Sequence, residues 1–129
     1  ASFYRNFTDK EDVLRQENDR LTAQWKQSYD AVEHTAPNEL LISLLDFYKE
    51  HSGFCLALYQ AGLSDIMLQT LLDQSEITPE MPNAMAYLKS SIAYMLYGWI
   101  VEWMKRGMQE SGTELAKMFE EAQEAGIIQ

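Results

Sequence analysis

NAMAYLKSSIAYMLYGWIVEWMKR, residues 83–106, reads as one long helix that is apolar on more than one face. Met85, Tyr87, Leu88, Ile92, Met95, Leu96, Trp99, Ile100, Val101, Trp103 and Met104 leave no wide polar side. Such a helix in a water-soluble protein needs two things to pack against. It is no membrane span: the apolar run around Ile92–Met104 is broken by Glu102 and flanked by Lys89 and Lys105, short of the roughly 20 residues a bilayer requires. Lys105 and Arg106, then Gly107, suit a helix C-terminus.

Toward the C-terminus, Ser111-Gly112-Thr113-Glu114 has the spacing of a capping box and opens a last helix carrying Leu115, Met118 and Phe119. The Glu120, Glu121 and Glu124 group reads as a solvated face. Toward the N-terminus, Ile77–Asn83 holds two prolines and is a loop. Before it come a helix capped by Ser64 with Ile66, Met67, Leu71 and Leu72 inward, a short helix over Phe54–Ala61 stopped by Gly62, and a helix from Asn38 or Glu39 to about Ser52. A long amphipathic helix starts at Asp9 and runs to about His34, with Val13, Leu14, Leu21, Trp25, Tyr29 and Val32 at a helical period. Pro37 disfavours a helical residue before it. The expectation is one all-α domain, a bundle of about six helices.

Composition agrees. The 129 residues, 47% hydrophobic, suffice for one core and not for two. Helix formers dominate, and six glycines with three prolines are too few for an all-β sandwich. Residues 1–14 lack a basic segment followed by an apolar one, so no signal peptide is expected. The lone Cys55 fits a reducing cytoplasm. Net charge is −10; residues up to Lys26 are balanced, so the whole excess lies in the body. An acidic body repels nucleic acid, and any DNA contact must come through the N-terminal end.

Ala1-Ser2-Phe3-Tyr4-Arg5-Asn6-Phe7-Thr8-Asp9-Lys10-Glu11-Asp12-Val13-Leu14 resembles the end of the helix-turn-helix in the tetracycline-repressor-like (TetR) family. There a recognition helix ends in small-Thr/Ser-Phe-Tyr-x-x-Phe and a Lys-Glu-acidic-Leu segment opens the next helix. Asn6 departs from the family's frequent His or Tyr. Phe3 and Phe7, four apart, share a face that can pack the helix, while Ser2, Tyr4, Arg5 and Asn6 offer donors and Lys10 can meet phosphate. The resemblance implies that 1–8 are the tail of a DNA-binding head whose remainder would precede Ala1, and that 9–129 are a ligand-sensing and dimerising domain. Tyr94 to Trp99, Trp103 to Met108 and Ser111 to Ala116 resemble a subgroup of the family's C-terminal domains, whose last two helices pair with a second copy. That implies a homodimer built on Tyr97, Gly98, Ile100, Val101, Met104, Leu115, Met118 and Phe119. Gly98 either allows close helix approach or is an ordinary packing glycine.

Trp25, Tyr29, Tyr48, His51, Phe54, Tyr59, Met67, Met85 and Tyr94 come from several helices. They line a cavity for a small apolar or aromatic effector, or they are plain core, as Met and aromatics at helical spacing commonly are. His34 and His51 have no Cys, Asp or Glu at a convincing ligand spacing, so neither metal nor cofactor is expected. A Cys55–His51 pair is adjacent on a helix but has no orienting third group, and no enzyme is expected. These features imply a regulator, usually a repressor, binding operator DNA under effector control. The alternative is a TetR-like module whose partner is another protein.

Overall fold

The computed structural model describes residues 9–126, which form six helices and no strand. They are α1 (Lys10–Asp30), α2 (Glu39–Glu50), α3 (Ser52–Gln60), α4 (Asp65–Gln74), α5 (Asn83–Lys105) and α6 (Gly112–Glu124). The predicted all-α bundle is what forms.

Helix α1 starts where Asp9 Oδ1 accepts from the Asp12 amide at 2.9 Å. Asn18, Leu21 and Trp25 turn inward at a helical spacing, whereas Val13 and Val32 are exposed and leave the expected stripe. The helix stops at Asp30, short of His34, because the Tyr29 carbonyl is taken by the Val32 amide (3.3 Å) and by His34 Nε2 (2.7 Å). His34 Nδ1 also reaches Glu39 at 2.8 Å, and its ring stacks on Tyr29 with centroids 3.7 Å apart. One side chain thereby fixes the α1–α2 turn. The ion pairs on α1, such as Glu11–Arg15 and Lys26–Asp30, are exposed and contribute little.

Both predicted glycine stops close as Schellman motifs. Gly107 N–H donates to Met104 O (3.1 Å) and Met108 N–H to Trp103 O (2.8 Å); Gly62 and Leu63 repeat this at Tyr59 and Leu58. Gly62 and Gly107 hold φ of 75° and 85°, the left-handed region that suits glycine. Ser64 does not cap α4. Its hydroxyl pairs with the Tyr97 hydroxyl at 2.9 Å and ties α5 to the α3–α4 corner.

The core is continuous, with Leu45, Leu58, Met67 and Ile100 fully buried. Helix α2 packs most extensively on α6, and α4 on α5. Where α2 meets α6, Asp46 accepts from the Thr113 amide at 3.2 Å and from its hydroxyl at 3.4 Å. Lys49 Nζ donates to the Met108 carbonyl, locking the α5–α6 link to the same helix. The Ser111–Glu114 capping box forms in both directions at 3.1 Å. The Ser111 amide and hydroxyl hold the Glu114 carboxyl below its ordinary range. That part of the cap is present at neutral pH and is lost as pH falls through the lowered value. Glu121 and Glu124 are exposed as expected, but Glu120 is half-buried, with Oε1 lacking a hydrogen-bond partner.

Candidate functional site

Two concavities adjoin on the α1–α2 side of the bundle. The inner one is narrow, with about 10 Å³ of room, close to one water molecule. Tyr48, His51, Phe54 and Met67 line it, with Asn18 and Cys55. The outer one is an open groove of about 630 Å³ between α1 and α2, into which Trp25 and His51 face. Leu21, Phe47 and His51 belong to both and form the wall between them.

Helical spacing on α2 explains how one element serves both spaces. Tyr48 is inside, 2% exposed; Phe47 and His51 lie at the boundary; Glu39, Asp46 and Glu50 edge the groove. Trp25 crosses from α1 and donates Nε1–H to Ser43 Oγ at 2.9 Å, holding the two helices in register.

The Tyr48 hydroxyl is buried without a hydrogen-bond partner. Burial pushes it far above its ordinary pKa, and the nearby Thr70 hydroxyl eases this slightly while donating to the Ile66 carbonyl at 3.3 Å. A buried unpaired polar group costs about 1–3 kcal/mol. Tyr48→Phe is therefore expected to leave stability unchanged or raise it by about 1 kcal/mol in denaturant unfolding. Tyr48→Ala, which empties an aromatic volume, should cost about 4 kcal/mol. A Phe variant weaker by more than about 1 kcal/mol would show that the hydroxyl is bonded after all.

Burial also pushes the Cys55 thiol up to about 12, and Sγ sits 3.6 Å from the Tyr48 carbonyl rather than on His51. A thiol held protonated in this way is a poor nucleophile. Among the described residues, no group of three or more His, Cys, Asp or Glu is placed to hold a metal ion.

The second surface is on α5. One side buries Ala93, Leu96, Ile100, Trp103 and Met104. The opposite side shows water Tyr87 (70% exposed), Leu88 (56%) and Tyr94 (55%), and continues through Gly98 to half-buried Val101. Ala84, Ser91 and Gly98 recur every seventh position along it, as do Tyr87, Tyr94 and Val101. A Cβ added at Gly98 would meet nothing within 4 Å. Helices α5 and α6 meet through large side chains, Trp99 against Phe119 edge-on at 5.3 Å. A wedge of about 410 Å³ between them is lined by Trp99, Leu115 and Met118.

A family model described as "Transcriptional regulator C-terminal region" matches residues 35–124, most of the chain. The chain belongs to this TetR-type family. Neither a curated protein nor a solved structure matches it.

The geometry of this TetR-type regulator redistributes the residues expected from its sequence. Tyr48, His51, Phe54 and Met67 gather around the inner cavity, and Trp25 faces the outer groove. Tyr29 and Tyr59 pack against the core and belong to neither space. Met85 (46% exposed) and Tyr94 line neither space: Met85 lies in the first turn of α5, and Tyr94 is on the side opposite the one α5 buries. Ile100, Met104, Leu115 and Phe119 are buried within the protomer, Leu115 at the wall of the α5–α6 wedge. Tyr97 is engaged with Ser64. Gly98, Val101 and Met118 keep accessible surface. Of the expected DNA contacts, Ser2, Tyr4, Arg5 and Asn6 lie outside the described residues, as do Phe3 and Phe7; Lys10 is exposed on the first turn of α1. Two residues carry no signal in the sequence: Asn18, inward on an otherwise polar stretch, and Asp46, whose partner lies 67 residues away.

Proposed function

We propose that this chain is the sensing and pairing body of a homodimeric repressor, with residues 1–8 the end of its DNA-reading head and 9–129 the regulatory domain. The observation that carries the reading is the family match over 35–124, joined to the unpaired face of α5. Mid-helix glycine costs about 1 kcal/mol relative to alanine. Among the described residues nothing approaches Gly98 to offset that cost, so its bare surface suits the close approach of a second α5. The exposed row from Tyr87 to Val101 then becomes interface, and the α5–α6 wedge receives side chains of the mate in a four-helix arrangement.

Effector sensing rests on α2. Its inward face carries Tyr48 at the inner cavity, and its other flank holds α6 through Asp46 and Lys49. A ligand that displaces α2 therefore acts on a helix of the pairing surface, and through α1 on the head. Such a ligand shifts DNA affinity only if it binds the two arrangements differently. No catalytic chemistry belongs to this reading.

The test uses the full-length protein. Sedimentation should give a dimer, and a DNA-selection assay should yield a two-fold symmetric operator whose binding changes when the retained or added effector is present. A monomer, or a dimer with no preferred DNA sequence, would overturn the proposal.

A further inference from the structure

We infer that the outer α1–α2 groove is a binding site for an organic cation with an apolar, preferably aromatic, body. The inference rests on the sensor reading for its regulatory consequence; the binding itself does not.

Four rings line the groove: His34, Trp25, Phe47 and His51. Trp25 lies 6.0 Å from Phe47, and Phe47 meets His51 edge-on at 4.9 Å; Tyr29, outside the groove, backs His34 by stacking and lies 5.9 Å from Trp25. Three carboxylates edge it from one face of α2: Glu39, Asp46 and Glu50. Among the described residues, no lysine or arginine lines it. Lys49, next to Glu50 in sequence, is drawn to the Met108 carbonyl, and Lys26 is paired with Asp30 at 3.3 Å.

These features select charge and shape together. Aromatic faces attract cations through the ring quadrupole, and carboxylates at the edge add direct attraction. An anion would meet three carboxylates, of which only Glu39 has a basic side chain of the groove, His34, against it. A neutral aromatic would gain the floor but not the rim. Glu39 is bonded to His34 and Asp46 to Thr113, yet both contacts leave carboxylate oxygens as acceptors of further charge. The volume, about 630 Å³, lies in the range of small-molecule sites. Behind the Phe47 and His51 wall, the unpartnered Tyr48 hydroxyl offers a hydrogen bond to any ligand group that passes it.

Titration calorimetry on the full-length protein tests this with three probes of one shape class: benzyltrimethylammonium, benzyl alcohol and benzoate. The cation should bind at least about tenfold more tightly than either control, and weaken as salt is raised, since the rim is partly exposed. Glu39→Gln with Glu50→Gln should lower affinity for the cation about tenfold and leave benzyl alcohol unchanged, while circular dichroism shows the fold intact. Phe47→Leu should weaken the cation and the alcohol alike. Benzoate binding as tightly as the cation, or a cation indifferent to the Gln pair, would overturn the inference. So would a basic amphipathic peptide that binds where the small cation does not, since the groove would then be a protein-docking surface. Operator binding is measured in parallel. A cation that binds without changing DNA affinity upholds the site and defeats the sensor reading. A different effector that releases DNA while the cation fails does the reverse.

Discussion

Gly112→Ala lowers the unfolding free energy by about 3 kcal/mol and the thermal midpoint by roughly 10 °C. Gly112 is the first residue of α6 and is buried against α2. A Cβ placed there would overlap the Asp46 amide nitrogen, the Asp46 carboxylate and the Leu45 carbonyl carbon. Two of the three are backbone, so no side-chain rotation relieves the clash. Alanine is otherwise the better helix former by about 1 kcal/mol, which makes the sign of the result diagnostic. Because α6 must lift from α2, the Asp46–Thr113 hydrogen bonds should go as well. Thermal unfolding followed by circular dichroism measures the effect. An alanine variant melting within a degree or two of the parent would mean that α6 is not seated on α2 in this way.

The second large effect concerns association. On the pairing proposed for α5, Tyr94→Glu, alone or with Leu88→Glu, should raise the dissociation constant of a dimer by at least about a hundredfold. In a two-fold interface each substitution occurs twice, and an unpaired carboxylate forced out of water costs several kcal/mol. The protomer itself should remain folded, because both side chains are more than half exposed. Sedimentation velocity over a concentration series separates the outcomes. Unchanged association would remove α5 as the pairing surface. Loss of helicity in the isolated protomer would show instead that these residues support its own core. Ile100 is the contrasting position. Being fully buried within one chain, it should report on stability and not specifically on pairing.

The α5 results show what a periodicity can and cannot specify. Apolar residues from Met85 to Met104 announce a helix needing two packing partners, and both sides of α5 are apolar as required. Hydrophobicity alone does not say which side meets the protomer's own core. Leu88 and Ile100 are both aliphatic; one is 56% exposed and the other fully buried. The choice is made by α3 and α4, which pack against a single face of α5.

Local chemistry, carried by residues close in sequence, was legible from the chain by itself. The start of the first helix at Asp9, the Ser111–Glu114 box, the glycine stops at Gly62 and Gly107, six helices and the TetR-type relationship all depend on neighbours within a few positions or on a pattern along one segment. The arrangement that positions a site is different in kind. Asp46 meets Thr113, Ser64 leaves its cap for Tyr97, and Trp25 reaches Ser43 only after distant helices have docked. Tertiary packing alone settled which aromatics enclose space and which face water, because burial is a property of the whole bundle and a helical period fixes only the angle between residues, not the direction in which they point.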